Sequence, residues 1–187
     1  MAENILKRMQ TGNVFLTGER GVGKSTAIAR FLAEAGPLRP SGFATFFDGD
    51  RVCIAPYADR AARAVVAVRD PAAMTMDVYA DVFDTVGAGI LRAAREGAQA
   101  DTGLILMDEL GFMEADALAF QAEVFRCLDA PAPVLGVLKQ SLPPGEAGFS
   151  ARSAFLDWIR AREDVRVIVV TRENRDGVPA LLKKITL

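Results

Sequence analysis

Histidine is absent from all 187 residues. That gap excludes imidazole metal ligands, Ser–His and Cys–His nucleophile pairs, and histidine proton transfer. A general base must therefore be a carboxylate. Cysteine is scarce: Cys53 and Cys127 stand far apart. They have no metal or disulfide spacing and read as buried thiols of a reducing compartment. No apolar run approaches the ~20 residues that span a bilayer. Residues 1–10 also lack the apolar core of a signal peptide, so a cytoplasmic location without membrane contact is expected. Like charges do not cluster: 22 Lys and Arg against 24 Asp and Glu give a net charge of −2, and no nucleic-acid footprint follows. Internal repeats and linkers are missing too. The 51% apolar content rules out disorder, and the length suits a single domain over 1–187.

Residues 13–30 read NVFLTGERGVGKSTAIAR. A short apolar strand leads into a glycine-rich turn and then a helix with Ile28, Phe31 and Leu32 on its apolar side. Gly18, four residues, then Gly23-Lys24-Ser25 is the spacing of a phosphate-binding P-loop. A polyphosphate needs several donors close together. Glycines turn backbone N–H groups inward and place no Cβ in the way, and the helix start adds further N–H groups. The cradle is thus expected from Gly18, Glu19, Arg20, Gly21, Val22 and Gly23. Lys24 reaches the β- and γ-phosphates and binds the charge that builds there, Ser25 holds Mg²⁺, and the Thr26 hydroxyl sits within reach of the α-phosphate.

Downstream, residues 42–47 and 51–55 flank Asp48-Gly49-Asp50 as a hairpin, and 64–68 is also strand-like. Residues 84–96 read as a helix carrying Val86, Ile90, Leu91 and Ala94, with Gly87 and Gly89 suggesting close packing. Residues 104–107 form a strand apolar on both faces, hence central and parallel. Residues 116–128 form a helix with Leu118, Val124, Phe125 and Leu128 facing in. A strand at 134–138, a Pro-Gly segment at 142–150, a helix at 153–162, a strand at 165–170 and a terminal helix from Pro179 complete the chain. Alternating strands and helices predict an α/β fold of three layers, a mostly parallel sheet with an antiparallel hairpin insert.

The 104–107 strand ends in Asp108-Glu109. Such a strand delivers its last residues to the carboxyl edge of the sheet, where ligands bind. Asp108 is expected to hold Mg²⁺ opposite Ser25, and Glu109 to activate the attacking water. The second acid also predicts an extra strand between the P-loop strand and the Asp108 strand. No N-K-x-D guanine signature is present. Residues 171–175, TRENR, follow the last strand at the same edge. Asn174 is a candidate donor to a base edge, and Arg175 a candidate to stack on the base or touch phosphate. The competing reading is a loop that caps the final helix. Arg152, Arg160 and Arg162 flank the Pro-Gly segment, where a solvated face explains them better than a cation aimed at the γ-phosphate.

Over nearly its whole length the chain resembles the small nucleoside-triphosphatases that include the cancer-related nucleoside-triphosphatase and its thermophile relatives. The likeness rests on VFLTG at 14–18, GVGKST at 21–26 and Gly42-Phe43 opening the hairpin. It continues through DELGFME at 108–114 and LGVL at 135–138 to DVRVIVVTRENR at 164–175, which contains the family's T-x-E-N-R. The resemblance implies a RecA-like P-loop NTPase sheet and Mg²⁺-dependent hydrolysis of nucleoside triphosphates to diphosphates, slow and with loose base selectivity. Three places depart from the family: Glu19-Arg20 where Pro-Pro is frequent, Phe112 where Lys is common, and Phe46-Phe47 where relatives are more polar. Two other readings compete. One is a nucleotide or small-molecule kinase, although the 142–152 segment is short for an arginine-bearing lid. The other is an ATP-dependent regulator whose partner, a protein or a second copy, binds the hydrophobic hairpin; core packing of Phe46 and Phe47 argues against it.

Overall fold

The computed structural model describes residues 12–36, 38–98, 103–140 and 149–186, with side chains excepted at 149–153 and 186. An expected helical turn at 4–9, the Pro-Gly residues 141–148 and the Arg152 side chain lie outside the described residues. The strands are β1 (Asn13–Thr17), β2 (Arg39–Asp48), β3 (Arg51–Pro56), β4 (Ala64–Asp70), β5 (Thr75–Val78), β6 (Gly103–Leu110), β7 (Val134–Leu138) and β8 (Val165–Val169). The main helices are α1 (Lys24–Glu34), α2 (Ala88–Gly97), α3 (Leu118–Leu128), α4 (Phe149–Arg160) and α5 (Val178–Thr186).

The strands join one sheet in the order β5-β4-β3-β2-β6-β7-β1-β8. The block β2-β6-β7-β1-β8 is parallel throughout, and β3, β4 and β5 extend it antiparallel. β7 lies between β1 and β6, which is the intervening strand that the acid pair predicts.

Side-chain alternation divides the core into two halves. From β1, Val14 and Leu16 pack with Ile28 and Phe31 of α1 and Val178 of α5. Phe15 points the other way, into the half that holds Leu91 of α2, Phe120 and Val124 of α3, and Phe155 of α4. On β6 Leu104 and Leu106 join the first half, and Ile105 and Met107 the second. Apolar residues on successive positions therefore mark a strand covered on both faces by helices. Cys53 and Cys127 are both buried and unpaired, as expected. Among the described residues no helix is long and apolar enough to cross a membrane.

Several local details differ from the sequence expectation, among them the starts of α4 at Phe149 rather than 153 and of β2 at Arg39 rather than 42; three of them bear on packing. β5 was not foreseen: its residues Thr-Met-Asp-Val are all exposed, so no buried face writes a period into them. The helix expected at 84–96 is entered earlier, through a turn at Ala80–Val82 and a π-turn at Phe83–Gly87. The wider turn rotates the apolar stripe. Phe83 becomes fully buried, and Val86, expected inside, is 38% exposed. Gly87 does allow close packing, since a Cβ there would stand 2.9 Å from the Phe120 ring, whereas Gly89 faces open space. The third difference is Leu118. A 3₁₀ turn at Met113–Asp116 delays α3, whose buried stripe starts at Phe120, and Leu118 is left 71% exposed in its first turn.

One buried polar side chain ties the two ends of the chain together. Asn13 donates from Nδ2 to the Leu128 carbonyl at 3.0 Å and to Asp164 at 3.2 Å, and its Oδ1 accepts the Val134 N–H at 3.1 Å. It thus joins β1 to the end of α3, the start of β7 and the approach to β8. Asn13→Ala leaves a buried N–H and carbonyl unpaired, so a loss of about 2–3 kcal/mol is expected in urea unfolding.

Candidate active site

The P-loop starts where β1 ends. Gly18 adopts φ +142°, and a Cβ there would lie 2.3 Å from the Val170 carbonyl oxygen. The first glycine is thus required both by its backbone angle and by the chain that passes beside it. Gly23 (φ +110°) ends the turn, and α1 begins at Lys24. Lys24 is 8% exposed, and its Nζ donates to the carbonyls of Gly18 at 2.8 Å and Glu19 at 2.9 Å. The ammonium is therefore held beneath the loop it serves. Ser25 and Thr26 are exposed on the first turn of α1.

The acid pair faces this turn. Ser25 Oγ donates to Asp108 Oδ1 at 3.2 Å, which brings the two expected metal ligands together. Thr45 of β2 braces the pair from the side: its hydroxyl donates to the Asp108 carbonyl at 3.4 Å and accepts the Glu109 N–H at 3.2 Å. Burial raises the Asp108 pKa, opposed by the Ser25 hydrogen bond and then by the charges of Arg60 and Lys24. Burial also raises Glu109, opposed by Lys24, Lys139 and Arg20 and reinforced by Asp108. A carboxylate with a raised pKa grips a proton better, as a base toward water must.

A hydroxyl and a carboxylate are hard oxygen donors suited to Mg²⁺, which keeps waters and phosphate oxygens in its other positions. Among the described residues no group of three or more His, Cys, Asp or Glu gathers as a metal cage. The donor set fits an ion shared with substrate.

The 171–175 loop lies against the P-loop. The Arg175 Cδ is 3.8 Å from the position of a Cβ on Gly23. Asn174 uses both ends of its carboxamide inside its own loop, accepting from the Thr171 N–H at 2.9 Å and donating to the Val169 carbonyl at 2.8 Å. The structure therefore brings Arg175 to the cradle and gives Asn174 a loop-holding role. Arg160 pairs with Asp157 at 2.9 Å and also donates to the Lys139 carbonyl, while Arg162 binds Asp129 and Asp164. Both are held in ion pairs, with side chains only 20% and 26% exposed, so they form a paired face rather than the solvated one expected.

Several site residues carry no sequence motif. Thr45 and Arg60 arrive through the hairpin insert, and Lys139 through the end of β7. The only signal for Lys139 is its place after an apolar strand. Its Nζ stands 5.5 Å from the Phe112 ring centroid. Phe46 and Phe47 are not core: Phe46 is half-buried and Phe47 is 51% exposed. β2 pairs with β6 only as far as Ala44 and Asp108, so Phe46 and Phe47 lie past that pairing and are held on β3 alone.

Glu114 is fully buried behind the pair. Its Oε2 accepts the Gly111 N–H at 2.9 Å, and its Oε1 has no partner. Burial pushes its carboxyl from 4.5 up to about 7. The folded chain thus holds this proton more tightly than the unfolded chain, and stability falls as pH rises from about 4.5 through about 7. Glu114→Gln cannot ionise. Its stability relative to wild type is expected to improve by about 2 kcal/mol between pH 5 and pH 8, as read by denaturant unfolding at both values.

Comparison with known proteins agrees with this geometry. A family model described as NTPase matches residues 13–186. The nucleoside-triphosphatase THEP1 of Methanosarcina barkeri is 30% identical over 176 residues, covering 89% of this chain and 92% of the relative. The cancer-related nucleoside-triphosphatase homolog of Mus musculus is 27% identical, with 89% and 92% covered. The crystal structure of THEP1 from Aquifex aeolicus superposes with a TM-score of 0.70 at 22% identity, covering 91% of this chain and 96% of that one. The P-loop, the opposed acid pair and the match along nearly the whole chain place this protein in the NTPase family.

Proposed function

We propose that the protein is a Mg²⁺-dependent nucleoside-triphosphate phosphohydrolase that forms a nucleoside diphosphate and phosphate, slowly and with loose base selectivity. The observation that carries this reading is the 3.2 Å approach of Ser25 to Asp108, with Glu109 next in the chain. The loop N–H groups of residues 18–23, Lys24 and Thr26 bind the phosphates, and Arg175 flanks them. Ser25 and Asp108 hold the ion, which when bound neutralises charge on the β- and γ-phosphates.

The water oxygen bonds to the γ-phosphorus while the bond to the β–γ bridging oxygen breaks. That electron pair leaves with the diphosphate. Glu109 takes the proton of the water, and Lys24 stabilises the charge that builds on the phosphate oxygens. Thr45 holds the backbone of both acids and so fixes where Glu109 points. Loose base selectivity is supported by Asn174, whose carboxamide is already engaged in its loop. Slow turnover rests on the family resemblance.

A phosphate-release panel with ATP, GTP, CTP and UTP in Mg²⁺ tests the reading. Comparable rates, within about tenfold, are expected across the four. Transfer to an added nucleoside monophosphate that outpaces phosphate release would favour the kinase reading instead.

A further inference from the structure

The hairpin insert brings a further cationic group toward the acid pair. Arg60 lies on the connection between β3 and β4, in a segment fixed from both sides. The Tyr57 N–H donates to the Gly42 carbonyl at 2.8 Å and the Asp59 N–H to Pro56 at 3.0 Å. The Asp59 carboxylate then accepts the Ala61 N–H at 3.0 Å, so Arg60 sits at the apex of an Asx turn. Its guanidinium rests over the Phe46 ring, 5.2 Å from the centroid. Phe46 stands two residues beyond Ala44, which is paired across the sheet with Asp108.

Arg60 is exposed and, among the described residues, has no ion-pair partner, whereas Arg63 of the same connection pairs with Asp48 at 3.0 Å. The P-loop meets the same end of the hairpin, where Arg20 rests over the neighbouring Phe47 ring, 5.5 Å from its centroid. An arginine presented by a built turn and parked on an aromatic face near the strand position paired with Asp108, without an anion of its own, is arranged for an anion that comes from solution.

We propose that Arg60 is the chain's own charge-stabilising cation for the γ-phosphoryl group, leaving Phe46 to bind the γ-phosphate oxygens when a nucleoside triphosphate fills the P-loop. This rests on the hydrolase reading above. The guanidinium is planar and permanently charged, and its donors match phosphate oxygens. Its contribution grows as charge spreads onto those oxygens in the transition state, so it acts on turnover more than on diphosphate binding.

The test is ATP turnover, ADP affinity and affinity for ADP with aluminium fluoride in wild type, Arg60→Ala and Arg60→Lys. Arg60→Ala is expected to lose about 100-fold in turnover. Its affinity for ADP–aluminium fluoride should fall similarly while ADP affinity stays within about threefold, and added guanidinium should restore part of the rate in this variant alone. Arg60→Lys should fall between the two. Arg63→Ala serves as the surface control and should match wild type. Arg60→Ala turnover within threefold of wild type would overturn the proposal, as would an ADP affinity that falls as far as turnover. Recovered activity on mixing Arg60→Ala with Glu109→Gln would also overturn it, because the arginine would then act across subunits. Lys24→Ala and Glu109→Gln run alongside separate the two claims: if they lose function and Arg60→Ala does not, only Arg60 falls. If wild type releases no phosphate and none of the variants alters nucleotide binding, the hydrolase reading falls and takes Arg60 with it.

Discussion

Glu109→Gln is expected to cut nucleoside-triphosphate turnover by about 10³-fold and to leave Mg-nucleotide affinity within a few-fold of wild type. The substitution keeps the shape of the side chain and its place in the fold. The Glu109 N–H still donates to Thr45, because that contact belongs to the backbone. Only the ability to take a proton from water is lost. With no histidine in the chain, a nearby imidazole cannot take over. Asp108 is the other acid at hand, and its Oδ1 is engaged by Ser25. Single-turnover phosphate release and calorimetric titration of nucleotide read the two effects separately. Unchanged turnover would remove Glu109 from the mechanism.

Lys24→Ala is expected to weaken triphosphate binding by about 100- to 1,000-fold and to abolish measurable turnover at ordinary substrate concentrations. Losing a charge-assisted contact to phosphate accounts for about 2–3 kcal/mol. The rest reflects the loop itself. The Lys24 ammonium bonds the Gly18 and Glu19 carbonyls, so its removal also loosens the cradle. The same nitrogen opposes the burial of both Asp108 and Glu109. Removing it raises both carboxyls further. Calorimetry with a non-hydrolysed triphosphate is the direct measurement, and normal affinity would refute the P-loop assignment.

The parts of this site that the sequence made legible are local. Gly18 to Ser25 is a continuous motif, and four apolar residues before Asp108-Glu109 mark a strand covered on both faces. Even the presence of β7 between β1 and β6 could be inferred, because the second acid implies it. What stayed hidden depends on chain segments that meet only in the fold. Thr45 braces Asp108-Glu109 through pairing of β2 with β6 across more than sixty residues. Asn13 looks like a polar residue before a strand until its partners at 128, 134 and 164 are seen. Phe46 and Phe47 read as core because aromatic residues in a strand usually are. They lie past the pairing of β2 with β6, and the rings became seats for Arg60 and Arg20 instead. Asn174 showed the reverse bias: a polar residue at the ligand edge suggested a base contact, while its short side chain suits a turn equally well.

The contact between Gly18 and Val170 also bears on how the protein is made. The phosphate cradle is written in residues 18–25, yet its first glycine is walled by residue 170, and its last lies beside Arg175. The β1–β8 pairing and the Asn13 contacts span the same distance along the chain. During synthesis the motif therefore leaves the ribosome roughly 150 residues before its walls do, about 10–30 s at ordinary elongation rates. A nascent chain carries the P-loop sequence through most of translation without a finished nucleotide pocket, and closure of the pocket belongs among the late, long-range steps of folding.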